Sequence, residues 1–220
     1  MRGSIGCALR RQHGAASNGM RLFISIQLND EMKHALRRIQ HAMQSQGVQG
    51  NFTREENLHL TLAFIGEYPD PEDVLDVMEQ IEFEPFDIRL DGVGSFGSLW
   101  WAGIDSVGED EFDGSEQGNG DALRNLAKHL RRGLADAGIP FDRKKFLPHI
   151  TLVRKPQMRN DRSTNGHGGR NADGHSGRNL AIPEAVLEDL PMAEMLVEHV
   201  SLMRSERGKH GMIYTELGRI

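Results

Sequence analysis

The chain has 220 residues and a formal net charge of −6, with 38% hydrophobic and 26% charged residues. This is a globular composition with a polar lean, long enough to bury a real core, and no apolar run approaches the roughly 20 residues of a membrane span. Cys7 is the only cysteine, which excludes an intramolecular disulfide and a cysteine-rich zinc site and fits a reducing, cytoplasmic setting.

Residues 1–19 hold Arg2, Arg10 and Arg11, no acid and no long apolar core. They read as a disordered leader ahead of Met20, not as a secretory signal. The folded pattern starts at once. "LFISIQL" (22–28) alternates as a strand does. Asn29 or Asp30 caps a helix to about Gln46, with Met32, Leu36, Ile39 and Met43 at helical spacing, ended by Gly47 and Gly50. "LHLTLAFIG" (58–66) is a strand, "PDPEDVLDVMEQI" (69–81) a helix opened by prolines and acids, and "FDIRLDGVGSF" (86–96) a strand with a glycine bend. The order then restarts. "LWWAGID" (99–105) is a strand, 121–138 a helix with Leu123, Leu126, Leu130 and Leu134 on one side, and "HITLVR" (149–154) a strand. A strand around 197–204 and another at 212–217 form a hairpin through Gly208 and Gly211. Between these elements lie an acidic insertion at about 106–120 and a Gly-, Asn- and Arg-rich loop at 156–182. His167 and His175 in that loop read as exposed polar residues. The expected arrangement is a single bilobal α+β domain at 20–220, built from two similar halves.

Charge is unevenly spread. Residues 105–121 contain seven acids and no Lys or Arg, whereas 140–170 contain eight bases and two acids. A charge run alone reads first as a solvated face; a positive field around the second half's last strand would also draw in anions such as phosphate or RNA.

Each half ends in the same pattern, His-x-Thr-Leu, at 59–62 and 149–152. On a strand, residues i and i+2 share a face. His59 and Thr61 therefore point one way and Leu60 and Leu62 the other. His149 and Thr151 repeat the arrangement against Ile150 and Leu152. A lone His-x-Thr is most often an imidazole bonded to its neighbour. Two copies, at matching positions of two similar halves, point instead to imidazoles and hydroxyls facing one groove. That set suits in-line displacement at phosphorus, with one histidine as base, one as acid, and the threonine hydroxyls on the non-bridging oxygens. Zinc fits poorly, because each copy offers one nitrogen and no paired carboxylate or cysteine.

"HLTL" and "HITL", with "RLFISIQL", "ENLHLTLAFIGE", "FLPHITLVR" and "SLMRSE…GMIY" around them, resemble the two-histidine phosphoesterase superfamily. The closest likeness is to its RNA 2′,3′-cyclic phosphodiesterase, or 2′-5′ RNA ligase-like (LigT-like), branch, over about residues 20–220. The resemblance implies two pseudo-symmetric lobes, each an antiparallel sheet with helices outside, around a central cleft. It implies hydrolysis of RNA 2′,3′-cyclic phosphate ends to 2′-phosphates without metal or cofactor, and possible 2′-5′ joining. His59 and His149 become the acid–base pair and Thr61 and Thr151 phosphate ligands. The working division makes His59 the acid and His149 the base, a direction the sequence leaves open. Arg154 matches a basic residue near the phosphate, although strand parity sets it opposite Thr151. The expected partner is an RNA end, with no membrane and no protein partner, and the expected state is a monomer.

Leu147 departs from the polar or basic residue many relatives carry there. Lys144 and Lys145 read as flexible surface residues, Trp100 and Trp101 as packing residues of which only one can face inward, and Phe23, Phe52 and Phe64 as packing between lobes. Two alternatives stand beside the leading one. The same fold can act on a small cyclic nucleotide, a 2′-5′ oligonucleotide or an ADP-ribose cyclic phosphate, or the groove can bind RNA without turnover.

Overall fold

A computed structural model describes residues 19–107, 121–159, 180–209 and 211–220. Residues 1–18 of the expected leader, most of the acidic insertion, and most of the 156–182 loop with His167 and His175 lie outside them. The elements in chain order are β1 (Met20–Gln27), α1 (Asp30–Ser45), β2 (Val48–Phe52), a 3-10 turn (Glu55–Asn57), β3 (His59–Tyr68), α2 (Pro71–Met78) and β4 (Phe86–Phe96). Then come β5 (Leu99–Ser106), α3 (Ala122–Asp136), β6 (His149–Met158), α4 (Glu184–Glu188), β7 (Glu194–Val197), β8 (Ser201–Gly208) and β9 (Gly211–Arg219).

Local chemistry sets the helices where the sequence expects them. The Asn29 side chain accepts the Met32 N–H at 2.8 Å and starts α1, whose Met32, Leu36, Ile39 and Met43 are buried. Asp121 caps α3 through the Arg124 N–H, and Leu123, Leu126, Leu130 and Leu134 form its buried stripe. Asp70 caps α2 ahead of Pro71.

The strands form two antiparallel sheets, ordered β3-β1-β8-β9 and β2-β6-β5-β4-β7. This is the α+β, two-sheet architecture expected. The two halves of the chain are nevertheless interleaved. β2 and β4 of the first half pair with β6 and β5 of the second, while the late strands β8 and β9 complete the sheet begun by β1 and β3. Helix α1 packs against β2, β6 and β7, and α3 reaches back to β3. One continuous apolar cluster joins both sheets to the helices.

Two expectations change. The loop expected from 156 begins later, because Val48 and Gln49 pair with Met158 and Gln157 and extend β6 past Pro156. Pro156 is tolerated because it falls within the register shift of that ladder. The single strand around 197–204 is two strands. Val197 pairs with Phe86 in one sheet, whereas Val200 exchanges two 3.0 Å backbone hydrogen bonds with Ile220 beside the other. The chain changes sheets between them. β2 itself, with α4, has no strong local signal. The expected hairpin is present, with Gly208 opposite Gly211.

Candidate active site

The concave sides of both sheets line one open cleft of about 1860 Å³. His59, Thr61, His149, Thr151 and Arg154 all lie on it, with β3 packed beside β6. On the far side of the same strands Leu60, Leu62, Ile150 and Leu152 are fully buried.

Both histidines are fixed the same way. His59 Nδ1 lies 2.7 Å from the Asn57 carbonyl oxygen, and His149 Nδ1 lies 2.7 Å from that of Leu147. A carbonyl only accepts, so each Nδ1 carries a proton and donates it. Each Nε2 is then the nitrogen left for chemistry. The Asn57 peptide is anchored in turn, since its side-chain amide donates to the Met212 carbonyl at 3.0 Å. Aromatic rings brace the imidazoles. Phe23 and Tyr214 lie 4.8 and 5.1 Å from His59, and Phe96 and Trp101 lie 5.2 and 6.2 Å from His149, centroid to centroid.

The repeat extends to an irregularity in each strand. Thr61 pairs with Ser25 and Ala63 with Ile24, so Leu62 is an extra residue; Thr151 pairs with Trp101 and Val153 with Trp100, so Leu152 is extra. Each is a β-bulge, and a bulge reverses the facing of the residues beyond it. Simple alternation sets Arg154 away from Thr151. The bulge turns it into the cleft, where the first motif's equivalent position carries Phe64. Arg154 therefore faces the cleft from within the strand, although simple parity set it on the opposite face. Long side chains from the helices reach the carbonyls at the bulges, where Leu152 O also accepts the Thr53 N–H at 2.9 Å. The Gln40 amide of α1 donates to Leu152 O at 3.0 Å and to Thr53 O at 2.8 Å. Arg131 Nε of α3 donates to Leu62 O at 2.9 Å, and its Nη1 to Lys144 O at 2.8 Å.

Burial lowers the His59 pKa most. The hydrogen bond to Asn57 opposes this, and the positive charges of Arg154 and His149 lower it further. Arg154 and His149 therefore both lie close enough to His59 for their charge to act on it. Burial also raises the Tyr214 phenol above its ordinary value, so it stays a hydroxyl donor. Basic side chains dominate the walls, with Arg21, Arg54, Arg131, Lys144, Lys145, Arg154, Arg204 and Arg207 against Glu67, Asp142 and Glu206. Among the described residues no group of three or more His, Cys, Asp or Glu is arranged to hold a metal ion, and no helix is long and apolar enough to cross a membrane.

The model of the LigT-like phosphoesterase family matches residues 26–100 and 115–164. The chain belongs to the LigT-like phosphoesterase family. It is 31% identical to an RNA 2′,3′-cyclic phosphodiesterase of Thermotoga maritima over 145 residues, covering 61% of this chain and 70% of the relative. It is 27% identical over 212 residues to one from Methanothermobacter thermautotrophicus, covering 90% and 96%. A crystal structure of TT0787 from Thermus thermophilus superposes with a TM-score of 0.59 at 30% identity, covering 91% and 97%. Escherichia coli LigT with 3′-AMP does so at 0.61 and 23%, covering 93% and 98%, and shares the fold.

Within this LigT-like cleft the other side chains singled out from the sequence take the following places. Phe23, Phe52 and Phe64 line the cleft, Phe23 against His59 and Phe64 beneath the Arg21 guanidinium at 4.9 Å. They face the cleft because the bulges and strand parity turn them there. Lys144 and Lys145 belong to the cleft wall, with Lys144 Nζ paired to Asp142 at 3.2 Å. Trp100 is fully buried, and Trp101 sits behind Phe96. Leu147 is 44% exposed and contributes to the site through its carbonyl. Tyr214, Phe96, Gln40 and Arg131 had no role assigned from sequence. Only the aromatic at 214, within a strand segment of the family pattern, gave a signal.

Proposed function

We propose that the cleft hydrolyses RNA 2′,3′-cyclic phosphate ends to 2′-phosphomonoesters, with His59 and His149 as the acid–base pair. The strongest support is the matched setting of the two imidazoles, each with Nδ1 committed to a backbone carbonyl on one basic cleft. His149 Nε2 takes a proton from water as the water oxygen bonds to phosphorus. The bond from phosphorus to the 3′ oxygen breaks, and protonated His59 supplies the proton to that oxygen. Thr61 and Thr151 hydroxyls donate to the non-bridging oxygens, and Arg154 offsets the charge that builds on them. No group has to be carried covalently by the protein, so the reaction is a single displacement. The bound phosphodiester anion opposes the fall in the His59 pKa and favours its acid form.

The test is a short RNA bearing a 2′,3′-cyclic phosphate, with identification of the monoester formed. The 2′-phosphate is expected. His59→Ala and His149→Ala should each lose about 10²–10⁴-fold in kcat with unchanged thermal melting. Turnover at the wild-type rate by both variants would remove the assignment. Tight, salt-sensitive RNA binding without turnover of any cyclic phosphate would replace it with a binding role.

A further inference from the structure

Phe96 ends β4 at the cleft mouth, and among the described residues it is the one Phe, Trp or Tyr side chain left largely exposed, at 42%. Its ring meets His149 edge-on at 5.2 Å and leans on Trp101 at 4.9 Å with a 31° tilt. Trp101 fits there because Gly94 lies beneath it, and any Cβ at 94 would collide with the indole. The turn after Phe96 is tied down, since the Lys155 N–H donates to Ser98 O at 2.7 Å. Lys155 adopts a left-handed φ of 53° beside that bond, one residue after Arg154. A large apolar ring is thus backed by a second ring, fixed at its turn and left open to the cleft next to a catalytic candidate. Leaving such a ring in water is unfavourable unless something covers it. The cleft's basic side chains supply charge for phosphates, and Phe96 at its mouth offers a flat, apolar face open to a ligand.

We propose that Phe96 is a nucleobase platform. One of the last two bases at the cyclic phosphate end stacks on its open face while the phosphate lies between the imidazoles. Stacking of this kind tolerates any base, because every base offers a π-face. The inference rests on the function proposed above and names the part of the RNA that this wall reads.

The test uses a pentanucleotide ending in a 2′,3′-cyclic phosphate and two matched oligonucleotides, abasic at the last or the penultimate position. Wild type, Phe96→Ala, Phe96→Leu and Phe96→Trp are compared. Phe96→Ala should raise KM by about 5- to 100-fold, a larger change than the fall in kcat from loosening His149. Phe96→Leu should fail to restore KM and Phe96→Trp should restore it. On one abasic oligonucleotide, wild-type KM should rise to the variant's value and Phe96→Ala should have no further effect. A Phe96→Ala KM equal to wild type, rescue by leucine, or a penalty that persists on both abasic oligonucleotides would overturn the platform. Binding of the same oligonucleotides carrying a terminal 2′-phosphate, read by fluorescence anisotropy, makes the same comparisons without turnover. Absence of turnover by wild type would therefore strike the proposed reaction, and absence of a base-dependent affinity difference would strike the platform.

Discussion

At the level of single residues, the pair His59 and Arg154 carries a consequence for pH. Arg154 lowers the His59 pKa by its charge, after the larger effect of burial. Removing that charge in Arg154→Met lets the His59 pKa rise. With His59 as the acid, its protonated form is lost as pH rises, so the alkaline limb of kcat/KM moves to higher pH in the variant. With the roles exchanged, the acidic limb moves instead, so one pH profile assigns both imidazoles. In wild type the bound anion favours protonated His59. The alkaline limb of kcat, which reports the complex, is expected at higher pH than that of kcat/KM, which reports the free enzyme. Coincident limbs would place the controlling ionisation elsewhere. The two histidines were legible in the sequence because His-x-Thr-Leu is a local pattern with a fixed facing. Arg154 was legible as a residue but not as a geometry, because its facing depends on one extra residue that no periodicity announces.

At the level of elements, the bulges at Leu62 and Leu152 do what plain strands cannot. They let the second residue after each threonine stay buried while the third returns to the cleft. Helices brace the carbonyls at these bulges, Arg131 at Leu62 O and Gln40 at Leu152 O, the latter alongside the Thr53 N–H. Gln40→Met should destabilise the fold by about 1–3 kcal/mol, seen as a lower urea midpoint at unchanged slope. It should also lower kcat/KM through Arg154, and an unchanged midpoint would show the bond to be dispensable. Gly103, opposite His149, makes a similar demand, because a Cβ there would strike the Asp91 carbonyl of β4. Gly103→Ala should cost about 1–3 kcal/mol by the same measurement. Helices α1 and α3 were legible from their leucine and methionine spacing and their caps. β2 was not, because "VQGNF" has little strand character alone and is a strand only by pairing with β6, about a hundred residues later.

At the level of the whole molecule, charge is segregated. The chain is net negative, yet the cleft walls are mainly basic. A polyanion such as the proposed RNA substrate would be drawn to the cleft by charge and discouraged elsewhere. kcat/KM for an oligonucleotide should therefore fall steeply with salt, and for a mononucleoside cyclic phosphate only shallowly, because fewer phosphates are engaged. Equal salt slopes for the two would show that the walls away from the histidines do not touch RNA. The basic stretch around the second motif was visible in sequence. The arginines of β1 and β8 that join it were not, since only the sheet order brings 21 and 204 to the same wall.

That sheet order also governs when the protein becomes itself. β1 sits between β3 and β8, so that Phe23 pairs with Met203 across nearly the whole chain. During synthesis the edge of β1 stays open until residues 201–208 have left the ribosome, and the His59 wall lacks its Tyr214 brace until later still. Such distant pairing slows folding and leaves an unpaired edge on the nascent chain. A ribosome stalled before that point would hold a chain that already carries both histidines and has no finished cleft to use them in.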